Sequence, residues 1–205
     1  MREALSPRQH EAEALMQQLL NDDFVSLAVK RISFTEEFEN NHCKLQCEIV
    51  QNPGNETIAL EGEGVGMLDA FFHALCARYE GEHPSLKSIV FSSFMVKGLM
   101  AEAGNDQASD AQAEAIVGLS NSEGVEFEFR AMSRSVSSSS MEALLEGVEY
   151  FINAERAYIR AYKALEHYKK EHRPDLVDKY TSALAVMVRN TSYSATIERL
   201  KGEKS

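Results

Sequence analysis

The sequence contains no tryptophan, four prolines and three cysteines in 205 residues. An odd, low number of cysteines (Cys43, Cys47 and Cys76) excludes a disulfide framework and leads us to expect reduced thiols in a cytoplasmic protein. The opening stretch, MREALSPRQHEAEALMQQLL, has no apolar run of the kind that directs secretion. No segment approaches the roughly 20 apolar residues of a membrane span, so a membrane partner is not expected. Positive charge is also scarce. The net charge is −11, and the one dense basic stretch, HYKKEHR at 167–173, is interleaved with acid and reads as a solvated helix end. A nucleic-acid partner would need a Lys/Arg patch to replace counterions on phosphate, and none is present.

Motifs of catalysis and metal binding are missing too. The histidines (10, 42, 73, 83, 167 and 172) form no H-x-H or H-E-x-x-H cluster. His73, within FFHAL, reads as a helix-face residue. Cys43 and Cys47 have the spacing of a ligand pair on a helix, but they fall on a predicted strand, where four residues span about 13 Å. We expect buried thiols, no metal and no cofactor. No G-x-S-x-G context marks a nucleophile, and no G-K-[ST] follows the glycines. An enzyme reading has no nucleophile–base pair or paired carboxylates to rest on.

What is present is a repeated order of elements. SPRQHEAEALMQQLL predicts a helix, with Ser6 as cap, Pro7 at the first helical position, Gln9 completing a capping box, and Ala12, Leu15, Met16 and Leu19 on one face. Residues 24–38, 42–50 and 57–64 are rich in β-branched and aromatic residues with partial alternation, and NPGNE at 52–56 is a turn. A helix over 67–80 follows, with Leu68, Phe71, Phe72 and Leu75 at helical spacing. The order then returns. Strands are predicted at 86–100, 110–120 and 125–133, with a polar loop at 101–109. A helix runs from Ser139, capped with Glu142 in an S-x-x-E box, to about Glu171. Residues 175–200 predict a last helix after Arg173-Pro174. The expected fold is α+β. Two strand–strand–strand–helix units in pseudo-symmetric arrangement carry an N-terminal helix and a long C-terminal helical hairpin. The expected boundaries are 1–22 for the helix, 23–160 for the two units (about 24–85 and 86–160) and 161–205 for the extension.

Two helix entrances are candidates for a site. Gly62, Gly64 and Gly66 make G-x-G-x-G before the first helix. Without strand–helix–strand context this is either a tight entrance that only small residues fit or a place where backbone N–H groups meet an anionic ligand group. Asp69 near the same helix start favours the dipole and opposes a bound anion. Ser137–Ser140 form the second entrance, either as solvated caps or as a ligand-facing helix start.

The run GEGVGMLDAFFHAL (62–75) followed by SDAQAEAIVGL (109–119) resembles the C-terminal regulatory domain of 2-isopropylmalate synthase and citramalate synthase. That family carries G-x-G-x-G-P-[IVL]-D-A at its first helix and a G-x-D-A-Q-like strand in its second half. The resemblance covers about residues 24–160. It implies two strand–strand–strand–helix units, a homodimer, and feedback binding of leucine or isoleucine between the units. Met67 stands for the family's Pro and Ser109 for its Gly. Ser133–Ser140 replaces a G-x-G-x-D-x-[DN]-I entrance. The synthase's TIM barrel needs about 250 residues, so the expectation is a free-standing, non-catalytic domain. It would sense a branched-chain amino acid or related carboxylate and act on a separate synthase or another enzyme. The resemblance and helix-terminus physics place the ligand at Gly64, Gly66, Phe94, Asp110, Ser137, Ser138 and Ser139. The alternative is a homodimeric structural or interaction protein that kept the fold, lost the ligand, and docks through its helical hairpin.

Overall fold

The computed structural model describes residues 6–99 and 112–191. The polar loop at 101–109, Asp110 and the tail after Thr191 lie outside these residues. Helix α1 (Pro7–Leu20) opens with the expected capping box. The Ser6 hydroxyl accepts the Gln9 N–H at 3.3 Å, the Gln9 side chain faces the Ser6 N–H, and Gln9, Ala12, Met16 and Leu20 are buried. A 3-10 turn, Asn21–Asp23, leads into β1 (Ser26–Glu37), β2 (His42–Asn52) and β3 (Glu56–Gly64), then α2 (Met67–Tyr79). After a second 3-10 turn, Pro84–Ser88, come β4 (Val90–Leu99), β5 (Gln112–Ser120), β6 (Glu126–Ser133), α3 (Val136–Lys170) and α4 (Pro174–Val188). Each group of three strands is its own antiparallel sheet, in the order β1-β2-β3 and β4-β5-β6. The expected α+β fold of two such units, each closed by a helix, is the observed one.

Both sheets use the same device in their first strand. The register of β1 shifts between Val29 and Arg31, and that of β4 between Phe91 and Ser93. A bulge reverses the in–out parity of the residues beyond it. Leu27 and Val29 before the bulge therefore share a face with Ile32 and Phe34 after it, opposite Ile49, Cys47 and Leu45. In β4, Phe91 before the bulge shares a face with Phe94 and Val96. Simple alternation could not keep these residues together, and the bulges explain the imperfect period of both strands.

The helices lie close on their sheets because glycine allows it. A Cβ on Gly62 would collide with the Ala70 carbonyl oxygen and come within 2.9 Å of the Ala74 Cβ. One on Gly64 would lie 2.6 Å from the Ala70 nitrogen. These two glycines are the packing device of the first unit. Gly147 does the same from the helix side in the second, where a Cβ would meet Leu119 at 2.6 Å and Phe129 at 3.0 Å.

At 35 residues α3 is about 50 Å long and forms the spine of the molecule. It is buried on nearly every side over 139–158, as expected of a helix inside a core. Phe127 and Phe129 of β6 meet Tyr150 and Phe151 with ring centroids 5.1–6.4 Å apart. The helix starts a turn earlier than Ser139. Ser135 is the cap, its hydroxyl accepting the Ser138 N–H at 3.3 Å, while Ser138 bonds Glu142 at 2.8 Å. The first strand of the second unit starts later than predicted, because Pro84 begins a 3-10 turn where extended structure was expected. α4 folds back along α3, with Tyr168 and Tyr180 stacked at 5.6 Å and Ala183 and Met187 buried.

Gly62→Ala should lower stability by about 2–3 kcal/mol, since backbone must move to admit the methyl group. Gly81→Ala, where a Cβ meets nothing within 4 Å, should leave it nearly unchanged. Urea unfolding of the two variants side by side checks the packing role.

Candidate functional site

A cleft of about 540 Å³ opens where the two units meet. Its walls are β1 from Leu27 to Ile32, β6 from Arg130 to Met132, and the first turns of α3. Met141 and Leu145, both almost wholly buried, form an apolar floor with Val29 and Ile32. The rim is polar, with Arg31, Ser137 and Ser138 on one side and Glu142 and Glu146 one and two turns along α3. The bulge at Lys30 turns β1 so that both Val29 and Arg31 line this space.

Buried polar groups hold the wall in place. Glu149 accepts the Leu27 N–H at 2.9 Å. Asn153 accepts the Val25 N–H at 2.9 Å and donates to the Val25 carbonyl at 2.8 Å. Two residues further, Glu155 accepts the Ser85 N–H at 3.0 Å, in the segment that joins the two units. All three side chains are at most 3% exposed. They satisfy backbone groups at Val25, Leu27 and Ser85, and a buried unpaired amide is destabilising. Sequence reasoning missed them. The signal was there as polar residues at 149, 153 and 155 inside the apolar stripe of a long helix.

The sequence-predicted site residues separate in space. Ser137 and Ser138 line the cleft. Ser139 does not: it is fully buried, and its hydroxyl donates back to the Ser135 and Val136 carbonyls at 3.2 Å. Gly64 is packed under α2, and Gly66 caps that helix as an extended residue. The N-terminus of α2 is already supplied with an anion, because the Asp69 carboxylate accepts the Val65 N–H at 3.0 Å and lies 3.7 Å from His73. Phe94 sits on β4, 45% exposed and away from the cleft. Asp110 lies outside the described residues. Within one chain, therefore, the two helix entrances do not form a shared pocket among the described residues. The N-terminus of α3 is the one that opens onto a cleft. Its Val136 and Ser137 N–H groups have no acceptor among the described residues, as the first N–H groups of a helix have none within it.

Burial raises the pKa of all three thiols. Burial pushes the Cys47 thiol up to about 11 and the Cys76 thiol up to about 12, the latter with help from Glu80. Burial also raises Cys43, with Glu36 adding to the effect. Among the described residues no group of three or more His, Cys, Asp or Glu could hold a metal ion. None of the described helices is long and apolar enough to cross a membrane.

Asn153→Ala should reduce stability by about 2–4 kcal/mol, because it strands both backbone groups of Val25 in a buried site. Chemical denaturation measures this directly, and a change below about 1 kcal/mol would show that the clamp carries little. Native protein at about pH 8 should react with a thiolate-directed reagent at least about a hundredfold more slowly than the same chain in denaturant. A fast native phase would contradict the buried assignment.

No curated protein gives a significant match to the sequence. A family model does, over residues 8–152, a span that takes in α1, both sheets, α2 and the first half of α3. The order of elements, the paired bulges and the glycine-packed helix entrance all fall within that span. The chain belongs to the LeuA allosteric (dimerisation) domain family.

Proposed function

We infer that this chain is a non-catalytic regulatory domain that acts in the cytoplasm as a homodimer. It binds a small branched-chain amino acid or related carboxylate in the cleft between β1, β6 and α3. The cleft itself carries the reading: an apolar floor of side-chain size lies beside the open N-terminus of a long helix. A carboxylate fits against the Val136 and Ser137 N–H groups and the Arg31 guanidinium, where unpaired donors and the helix dipole favour negative charge. The ligand's aliphatic part lies on Ile32, Met141 and Leu145, and an ammonium group faces Glu142 and Glu146. The four serines at this entrance are then not the whole polar inventory, since the acidic groups come from the next turns of α3. Membership in an allosteric family supports the regulatory reading, and the regulated partner is a separate enzyme of branched-chain metabolism.

A second reading is that of an interaction protein with no small ligand. The exposed apolar residues of β1 and β4, among them Phe34 and Phe94, favour it. None of the large exposed hydrophobics among the described residues lies on the second half of α3 or on α4, so those of β1 and β4 carry this reading.

Thermal unfolding against leucine, isoleucine, valine, their 2-oxo acids and citramalate separates the two. At a hundredfold excess over the dissociation constant a bound ligand adds about 2.7 kcal/mol, which raises the melting temperature by several degrees. Ser137→Asp puts a carboxylate where the ligand's would sit, at a helix position that favours acid, so it should keep the fold and abolish the shift. If no member of the panel shifts the wild type, the sensor reading fails and the interaction protein stands. A shift that survives in Ser137→Asp would place the ligand elsewhere.

A further inference from the structure

Four strands form the edges of the two sheets, and three of them take a polar contact from outside their own sheet at one or two positions. The β1 edge receives Glu149 and Asn153 of α3 where it begins. On the β6 edge, Gln9 donates to the Glu128 carbonyl and Arg8 to the Glu126 carbonyl, each at 3.2 Å. On the β3 edge, His73 Nδ1 lies 3.0 Å from the Glu63 carbonyl. β4 differs. Among the described residues, no hydrogen bond joins its outer edge to anything beyond its own sheet. Phe94, Met95 and Val96 are 45%, 53% and 36% exposed, so both faces of the strand offer apolar side chains. An open edge with apolar residues on both faces is a template for another strand.

We propose that β4 is the dimer face, and that it pairs antiparallel with β4 of a second copy about a two-fold axis through Met95. This deepens the dimeric reading given above and rests on it. The occupant is dictated by the sequence of the strand. In an antiparallel pair, directly opposed side chains share a face, so a two-fold axis normal to the sheet must pass through a residue opposite its own copy. A centre at Val96 would set Phe94 against Gly98, and one at Phe94 would set Val96 against the bulged Ser92. The centre at Met95 opposes methionine to methionine, Phe94 to Val96 and Lys97 to Ser93. All three exposed apolar residues then meet apolar partners, no like charges are opposed, and the pairing stops at the bulge. Such a surface is self-complementary, as a two-fold interface must be. The β4-β5-β6 sheets of the two copies become one continuous sheet across the axis, which covers the β4 edge.

The test uses the full chain and begins with sedimentation equilibrium of the wild type at micromolar concentration, which should show a dimer. Met95→Cys should form an inter-chain disulfide readily on mild oxidation, because opposed residues lie about 4.5–5.5 Å apart, within the range a disulfide spans. Val96→Cys should not, since it faces Phe94 of the second copy rather than itself. The native cysteines are buried or half-buried, and the oxidised wild type serves as the blank. Met95→Lys, which places two ammonium groups on the axis, should weaken dimerisation by about a hundredfold with unchanged circular dichroism. A monomeric wild type would overturn the dimeric reading and the face with it. A dimer in which Met95→Cys cross-links no better than Val96→Cys would overturn the face alone, even if Met95→Lys misfolds.

Discussion

The hydrogen bonds that Glu149, Asn153 and Glu155 make into the backbone at Val25, Leu27 and Ser85 are the constraint on which the arrangement of the two units depends. Each sheet with its helix is a local object, built from neighbours in sequence. What fixes one unit against the other is α3, which belongs to the second unit yet pairs with the first strand of the first and with the segment between them. Apolar contact would bring these surfaces together in several registers. Buried donors with one acceptor each admit a single register, because every other one leaves polar groups stranded. The wall of the cleft is thus set by α3, and its floor is the same helix.

The two units share devices rather than residues. Both begin with a strand that carries a bulge, and both seat their helix against a glycine. They place that glycine on opposite partners, however: Gly62 and Gly64 on the strand, Gly147 on the helix. This is why residue identities conceal the repeat while the order of elements reveals it. It also makes the two helix entrances unequal. The start of α2 lies over its glycines and is answered by Asp69. That of α3 has serines whose hydroxyls are mostly spent on the helix's own backbone, which leaves Ser137 and the first N–H groups facing open space.

Most of the fold was legible in the sequence because it is written in short-range terms. The Ser6 capping box, the Asn-Pro-Gly turn before β3 and the apolar period of α2 each fix a local structure. The start of α3 was less legible: four consecutive serines offer several caps, and Ser135 prevails because its hydroxyl reaches the Ser138 N–H. The bulges could not be placed, since parity reversal at Lys30 and Ser92 looks like weak alternation until the partner strand is known. The site was legible only in part. Of the candidate residues, Ser137 and Ser138 line the cleft, whereas Gly64 and Phe94 lie away from it. Arg31, Glu142 and Glu149 line the same cleft, and their convergence depends on how β1 crosses α3, a long-range contact that no local pattern encodes.

The physical limit of the domain also differs from the limit of its family likeness. The family match ends at residue 152, one residue before Asn153 and three before Glu155. The helix continues without a break, and its next turns carry two of the three side chains that clamp the first unit. α4 then returns along it. Its Met187 is fully buried, Asn190 accepts the Tyr150 hydroxyl at 3.0 Å, and the Asn121 side chain donates to the Thr191 carbonyl at 3.2 Å. Tyr150 and Asn121 both lie inside the matched span, and both find their partners outside it. A tyrosine hydroxyl buried beside an aromatic cluster needs an acceptor, and desolvation holds its proton well above the ordinary tyrosine range. Asn190 supplies that acceptor. The extension is therefore part of the core and not an appendage to it. This explains why, among the described residues, the second half of α3 and α4 carry no large exposed hydrophobic, while β1 and β4 do.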